Sequence, residues 1–157
     1  YLHSFPDQTE HQCQFEDASN PESLVDEDLR LFMINWCYRV VAFFEFRRDT
    51  VAISTNYLDR FLSTTEGTNA RKNRKIFQLA AMSCLHTAIK IHEAEAIDMT
   101  YFSDLSKGFY TVEQFIDMEQ TIITSLQWRL HPPTPYSFTQ NFLSVIPGII
   151  MSMKEKS

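Results

Sequence analysis

An all-α fold is the class this sequence predicts, and three observations predict it. Between Ile76 and Ile91 the chain reads IFQLAAMSCLHTAIKI, apolar or small almost all round a 3.6-residue repeat, as in a helix enclosed by other helices. Several other stretches repeat apolar residues at i, i+3, i+4 and i+7, bounded by acids at their starts and bases at their ends. With 3 Gly and 6 Pro in 157 residues, there is little material for the turns of an all-β protein.

The elements follow in order. Residues 1–23 are polar and aperiodic and read as an arm or linker; His3, His11, Cys13 and nearby acids lack metal-ligand spacing. From Asp26 the periodicity begins, with Leu29, Phe32, Met33, Trp36, Val40, Phe43 and Phe44 on one face of a first helix reaching about Phe46. Asp26, Glu27 and Asp28 suit its N-terminal end, and Arg47 and Arg48 its C-terminal end. Asp49 is an expected N-cap for a second helix, about Thr50 to Ser63, whose apolar face Asp59 and Arg60 interrupt.

A polar linker with Gly67 and Asn69 leads into the central helix, where Ala80, Ala81, Ser83, Thr87 and Ala88 permit close approach of neighbours. Lys90, near its C-terminal end, fits the helix dipole and the open carbonyls. Asp98 caps a short fourth helix that Lys107-Gly108 ends, and Thr111 with Gln114 forms a capping box for a fifth, about Val112 to Gln127. His131-Pro-Pro-Thr-Pro135 stops the helical run, because proline removes donors and fixes φ. Tyr136 to Val145 restarts it as the opening helix of a second unit whose body lies outside this fragment. The expected division is an arm at 1–23, a helical domain at 24–131, and a linker with the start of a second domain at 132–157.

Composition excludes several classes. Hydrophobic residues at 44% speak for a packed core, and a net charge of −6 opposes a nucleic-acid-binding face, which the small basic cluster Arg71, Lys72, Arg74 and Lys75 does not reverse. Cys13, Cys37 and Cys84 form no CxxC pair, so neither a disulfide framework nor a zinc site is expected, and a reducing compartment, nuclear or cytoplasmic, fits best. No apolar run reaches the length of a membrane span. As for enzymes, His92-Glu93 starts an HExxH-like string, but Ala96 stands where the second His belongs. His86 has no nucleophile or acid at meaningful spacing and reads as a satisfied core or surface histidine; there is no Gly-rich phosphate loop, and no cofactor or metal is expected.

Periodicity alone does not choose among helical bundles. RLFMINW at Arg30 to Trp36, NYLDRFLS at Asn56 to Ser63, the run from Arg74 to Lys90 with Gln78-Leu79 inside it, Met118-Glu119, and PTPYSFTQNFL at Pro133 to Leu143 together resemble the cyclin box of cell-cycle cyclins of the A, B, D and E types, over about residues 22 to 145. The resemblance implies five helices around a buried central one, plus the first helix of a second such fold. It also implies a regulatory subunit without chemistry of its own, which binds and activates a cyclin-dependent Ser/Thr kinase and helps recruit its substrates. A TFIIB-like transcription adaptor of the same fold is the alternative, against which the −6 charge counts.

Five signature positions of the family are matched by Arg30, Asp59, Leu79, Lys90 and Glu119. Arg30 and Asp59 are implied to form a buried structural ion pair, whose breaking strands a charge at a cost of about 3 to 5 kcal/mol. Lys90 and Glu119 are implied to grip the kinase, with Thr87, Ile91, Ile123, Trp128 and Leu130 as the apolar part of that surface; Trp128 is the expected anchor. Leu29, Phe32, Met33, Trp36, Phe77 and Gln78 match a patch on which cyclins dock substrates or inhibitors with a basic residue near a leucine. Leu29 departs from the common Met, and Arg39 stands where docking cyclins often carry an acid, which tilts the expected ligand toward neutral or acidic flanks.

Overall fold

The computed structural model describes residues 25–145, and among them it has seven helices and no strand. Helix α1 is Glu27–Phe43, α2 Asp49–Leu62, α3 Thr68–Lys72, α4 Arg74–His92, α5 Met99–Leu105, α6 Val112–Ser125 and α7 Pro135–Val145. The expectation of a bundle around a central helix corresponds to α1, α2, α4, α5 and α6, with α3 as an addition. The arm, with His3, His11 and Cys13, lies outside the described residues.

Helix α4 is the hub. Every residue from Phe77 to Ile89 is buried, and the helix packs against α1, α2, α3, α5 and α6. Burial all round is possible because Ala80, Ala81, Ser83, Cys84, Thr87 and Ala88 add little bulk, so neighbouring backbones come close on several sides. Asn73 starts the helix by accepting from the amides of Lys75 and Ile76 at 3.0 and 3.1 Å.

Three other starts, those of α1, α5 and α6, use side chains in the same way. Asp26 accepts from the Leu29 amide at 2.8 Å and Asp98 from that of Thr100 at 2.8 Å, while Thr111 and Gln114 form the expected reciprocal capping box. Lys107 and Gly108, at φ 55° and 76°, turn the chain left-handed after α5. Aromatic side chains then lock the elements together: Phe102 meets Trp36 of α1 edge-on at 6.4 Å, His86 of α4 at 5.0 Å and Phe115 of α6 at 6.3 Å.

Three sequence expectations change. Helix α1 stops at Phe43 because Glu45 turns to φ 58°, which lets Phe46 fold back and stack on Phe44 at 5.6 Å. Asp49 is the first residue of α2 and caps nothing with its side chain; its carboxylate instead accepts from the Thr134 hydroxyl at 2.9 Å, tying the linker to the head of α2. The supposed polar linker contains α3, which is pinned by the fully buried Ala70.

Gly67 has an ordinary φ of −74°. A Cβ there would lie 2.1 Å from the Phe61 carbonyl oxygen and 2.8 Å from the Leu62 Cα, so space rather than torsion demands glycine. Gly67→Ala is expected to destabilise the fold by about 1–3 kcal/mol, the usual cost of overpacking against atoms that cannot swing away. Urea unfolding reads this, and an unchanged midpoint would show that the α2–α3 turn opens without cost.

Candidate interaction surface

The C-terminal half of the hub faces α6, and one carboxylate collects the polar groups between them. Glu119 sits on α6 with its side chain 12% exposed. It takes the Lys90 ammonium at 2.8 Å on Oε2, and on Oε1 the Thr87 hydroxyl at 3.1 Å, with His86 Nδ1 3.2 Å away. Residues 86, 87 and 90 fall within one turn of α4, so a single carboxylate from the facing helix reaches all three.

Burial works against the charge on Glu119, but hydrogen bonds from His86 and Lys90 and the charges of both outweigh it and hold the carboxyl down at about 2, against an ordinary 4.5. A carboxyl depressed in the folded state favours folding above its unfolded value and loses that contribution as pH falls through its folded value. The stability advantage of the wild type over Glu119→Gln is therefore expected to be full above pH 4.5 and to fade toward about pH 2. Denaturant melts of both proteins across that range would show it, and a constant gap would mean that Glu119 is not held as an anion.

The residues expected to form the apolar part of this surface separate. Ile91 and Ile123 are half-buried, and Trp128 is 74% exposed just past α6. Gln127 and Trp128 lie in succession at φ 53° and 60°, a costly conformation for bulky side chains, and the Trp128 amide is held on the Ile123 carbonyl at 3.1 Å. Thr87 and Leu130 are core residues instead. Thr87 is fully buried because its small side chain turns inward to Ser83 and Glu119; Leu130 is 6% exposed, and its carbonyl accepts from the Tyr57 hydroxyl and from His92 Nε2, the latter at 2.9 Å.

Arg30 and Asp59 meet in a bidentate pair at 2.6 and 3.0 Å, joining α1 to α2. The expected burial is corrected: the side chains are 33% and 50% exposed, because both residues lie on the outer edge of their helices. Water can receive either partner, so the stranded-charge cost does not apply and the pair is worth about 1 kcal/mol or less.

The docking patch on α1 also changes character. Leu29, Met33, Trp36, Phe77 and Gln78 are 1–4% exposed, since the i, i+4, i+7 face that collects them is the one α1 turns to the hub. Phe32 and Arg39 are half-buried, and Leu31, which the sequence did not single out, is 52% exposed. Gln78 accepts from the Tyr110 hydroxyl at 3.1 Å, deep in the core. These residues contribute to the α1–α4 seam.

His86, read from the sequence as a satisfied core or surface histidine, is a buried one, and its place at this site is what the sequence did not show. Its side chain is 5% exposed, and Nε2 lies 3.0 Å from the Ile97 carbonyl oxygen. The available signal was its place one turn before Lys90 in an otherwise apolar run; its partner, 33 positions on, shows only in three dimensions. Cys37 and Cys84 offer no nucleophile, as burial pushes the Cys37 thiol up to about 12 and that of Cys84 well above its ordinary range.

Comparison with known proteins gives a consistent set of matches. The family model described as "Cyclin, N-terminal domain" matches residues 2–131. G2/mitotic-specific cyclin-2 of Antirrhinum majus is 29% identical over 142 residues, covering 90% of this chain and 31% of that protein. Cyclin-B1-1 of Arabidopsis thaliana is 32% identical over 80% of this chain and 28% of its own length, and Cyclin-D4-1 of Oryza sativa subsp. japonica is 32% identical over 78% and 35%. The chain thus spans roughly a third of the length of these relatives. The X-ray structure of a viral cyclin from herpesvirus saimiri superposes with a TM-score of 0.59 at 20% identity, over 79% of this chain and 56% of that one, a likeness of fold.

Proposed function

The chain belongs to the cyclin family, and from that premise we propose that it is the kinase-binding part of a regulatory subunit that activates a cyclin-dependent Ser/Thr kinase in cell-cycle control. The observation that carries this reading is the Lys90–Glu119 pair at 2.8 Å, where the Lys90 side chain is 46% exposed while its carboxylate partner is held from beneath. A partner can therefore meet a fixed, oriented pair of charges without first ordering two long side chains. Ile91 and Ile123 supply half-buried apolar area on the same two helices, and Trp128 supplies an exposed aromatic at the end of α6.

Activation needs no chemistry from this chain. A kinase equilibrium between inactive and active arrangements moves toward the one this surface binds better, and a shift from about 1:99 to 99:1 takes roughly 5.5 kcal/mol of differential binding. An interface of ordinary size with a few buried anchors supplies that much. Leu29, Met33 and Trp36 of α1 are buried, so the kinase contact rests on α4 and α6. The test is to mix the purified chain with candidate cyclin-dependent kinases and follow peptide phosphorylation. Activity rising with chain concentration to saturation is the expected result, and no binding to any of them would overturn it.

A further inference from the structure

We infer that His86 is the positioning residue of the Lys90–Glu119 surface and acts as an imidazolium, donating from Nδ1 to the Glu119 carboxylate and from Nε2 to the Ile97 carbonyl. A neutral imidazole carries one N–H and one lone pair. Here both ring nitrogens face acceptor-only oxygens, Glu119 Oε1 at 3.2 Å and Ile97 O at 3.0 Å. Whichever tautomer a neutral ring took, one nitrogen lone pair would point at an oxygen lone pair. The side chain is only 5% exposed, so solvent cannot easily relieve the mismatch. With the second proton, both contacts become donor-to-acceptor and charge-assisted.

The charges around the ring favour that state. Glu119 faces it from α6, and Asp98 at the head of α5, whose carboxyl is lowered mainly by the hydrogen bonds from Thr100, also feels the His86 charge. Lys90 on α4 is the opposing cation, one turn away and itself bound to Glu119. Two carboxylates thus stand against one ammonium. Phe102 of α5 meets the imidazole edge-on at 5.0 Å and limits its rotation, so the ring has little freedom to seek other partners.

The consequence is a proton-dependent hold on two elements at once. Nδ1 fixes the carboxylate that orients Lys90; Nε2 fixes Ile97, the residue before the N-cap of α5 and part of the connection from the hub. A ring that gives up one proton keeps one contact. If it keeps Nε2–H, a lone pair pushes against Glu119 and the Lys90 pair loosens; if it keeps Nδ1–H, the α4–α5 connection is released beside that surface. This inference rests on the kinase-binding reading only for its effect on affinity, since the doubly protonated ring is a property of the chain alone.

Two measurements test it. With ¹⁵N-labelled histidine, the NMR signals of both His86 ring nitrogens in the free chain at about neutral pH should show the imidazolium pattern, and Glu119→Gln should move the Nδ1 signal. A one-proton ring there overturns the inference. In parallel, the affinity of His86→Gln for an activated kinase should be about tenfold below that of the wild type, the size expected for one charged hydrogen bond. A His86→Gln protein that binds as tightly as the wild type overturns it too. If no kinase binds at any pH, the functional reading falls and the nitrogen spectrum alone decides His86.

Discussion

Replacing Lys90 by alanine is expected to abolish kinase activation at ordinary concentrations while leaving helical content unchanged. The Lys90 side chain is 46% exposed, so its loss opens no cavity in the core, but it removes the cation that neutralises Glu119 from outside. In a complex that excludes water, Glu119 would then face the partner as a carboxylate missing one of its donors. Truncating one member of a hydrogen-bonded charge pair at an interface costs about 2 to 5 kcal/mol, or roughly 30-fold to several thousand-fold in affinity. Titration of kinase with wild type and Lys90→Ala, beside circular dichroism of both, reads the effect. Equal activation by the two proteins would remove Lys90 from the contact and with it the main support for this surface.

The largest expected effect on stability is at Phe102. Its side chain is fully buried and touches rings from three other helices: Trp36, His86 and Phe115. Phe102→Ala removes the aromatic contacts and leaves a cavity among elements that cannot all collapse into it, which costs about 3–5 kcal/mol. A domain of this size is stable by only about 5–15 kcal/mol, so the variant should lose much of its margin. Chemical unfolding measures it. A cost under about 1 kcal/mol would mean that α5 is loosely attached and that the ring contacts contribute little.

What could be read from the sequence and what could not divide along a physical line. The hub was legible because its signal is local and repeated: an unbroken apolar period without Gly or Pro. The Thr111–Gln114 capping box was legible for the same reason, both partners lying within one turn. Helix α3 was not, since five residues carry no period and its order comes from tertiary contacts around Ala70 and Gly67. Asp49 looked like a cap because its neighbours fit, yet its carboxylate goes to Thr134, 85 positions away. Burial was the least legible property. The same apolar spacing that suggested a docking groove on α1 is what a core-facing stripe requires, and nothing in the order of residues tells a groove from a seam. At the candidate site, the resemblance supplied Lys90 and Glu119, but the bond from His86 to Glu119 joins two helices whose register only the fold sets.

The enclosure of the hub bears on how the chain is made. Its partners are split along the sequence, with α1, α2 and α3 before it and α5 and α6 after it. As a ribosome delivers the chain in order, the early helices can cover one side of α4 at once, but the side meant for Phe102, Phe115 and Ile122 must wait for those residues to emerge. At about 5–20 residues per second, the interval between the end of the hub and the end of α6 lasts a few seconds. During it, a long strip of Ala, Leu and Met side chains meets water or whatever apolar surface is nearest. Synthesis therefore has a window in which apolar surface of the hub stays uncovered, and it closes only when α6 is complete.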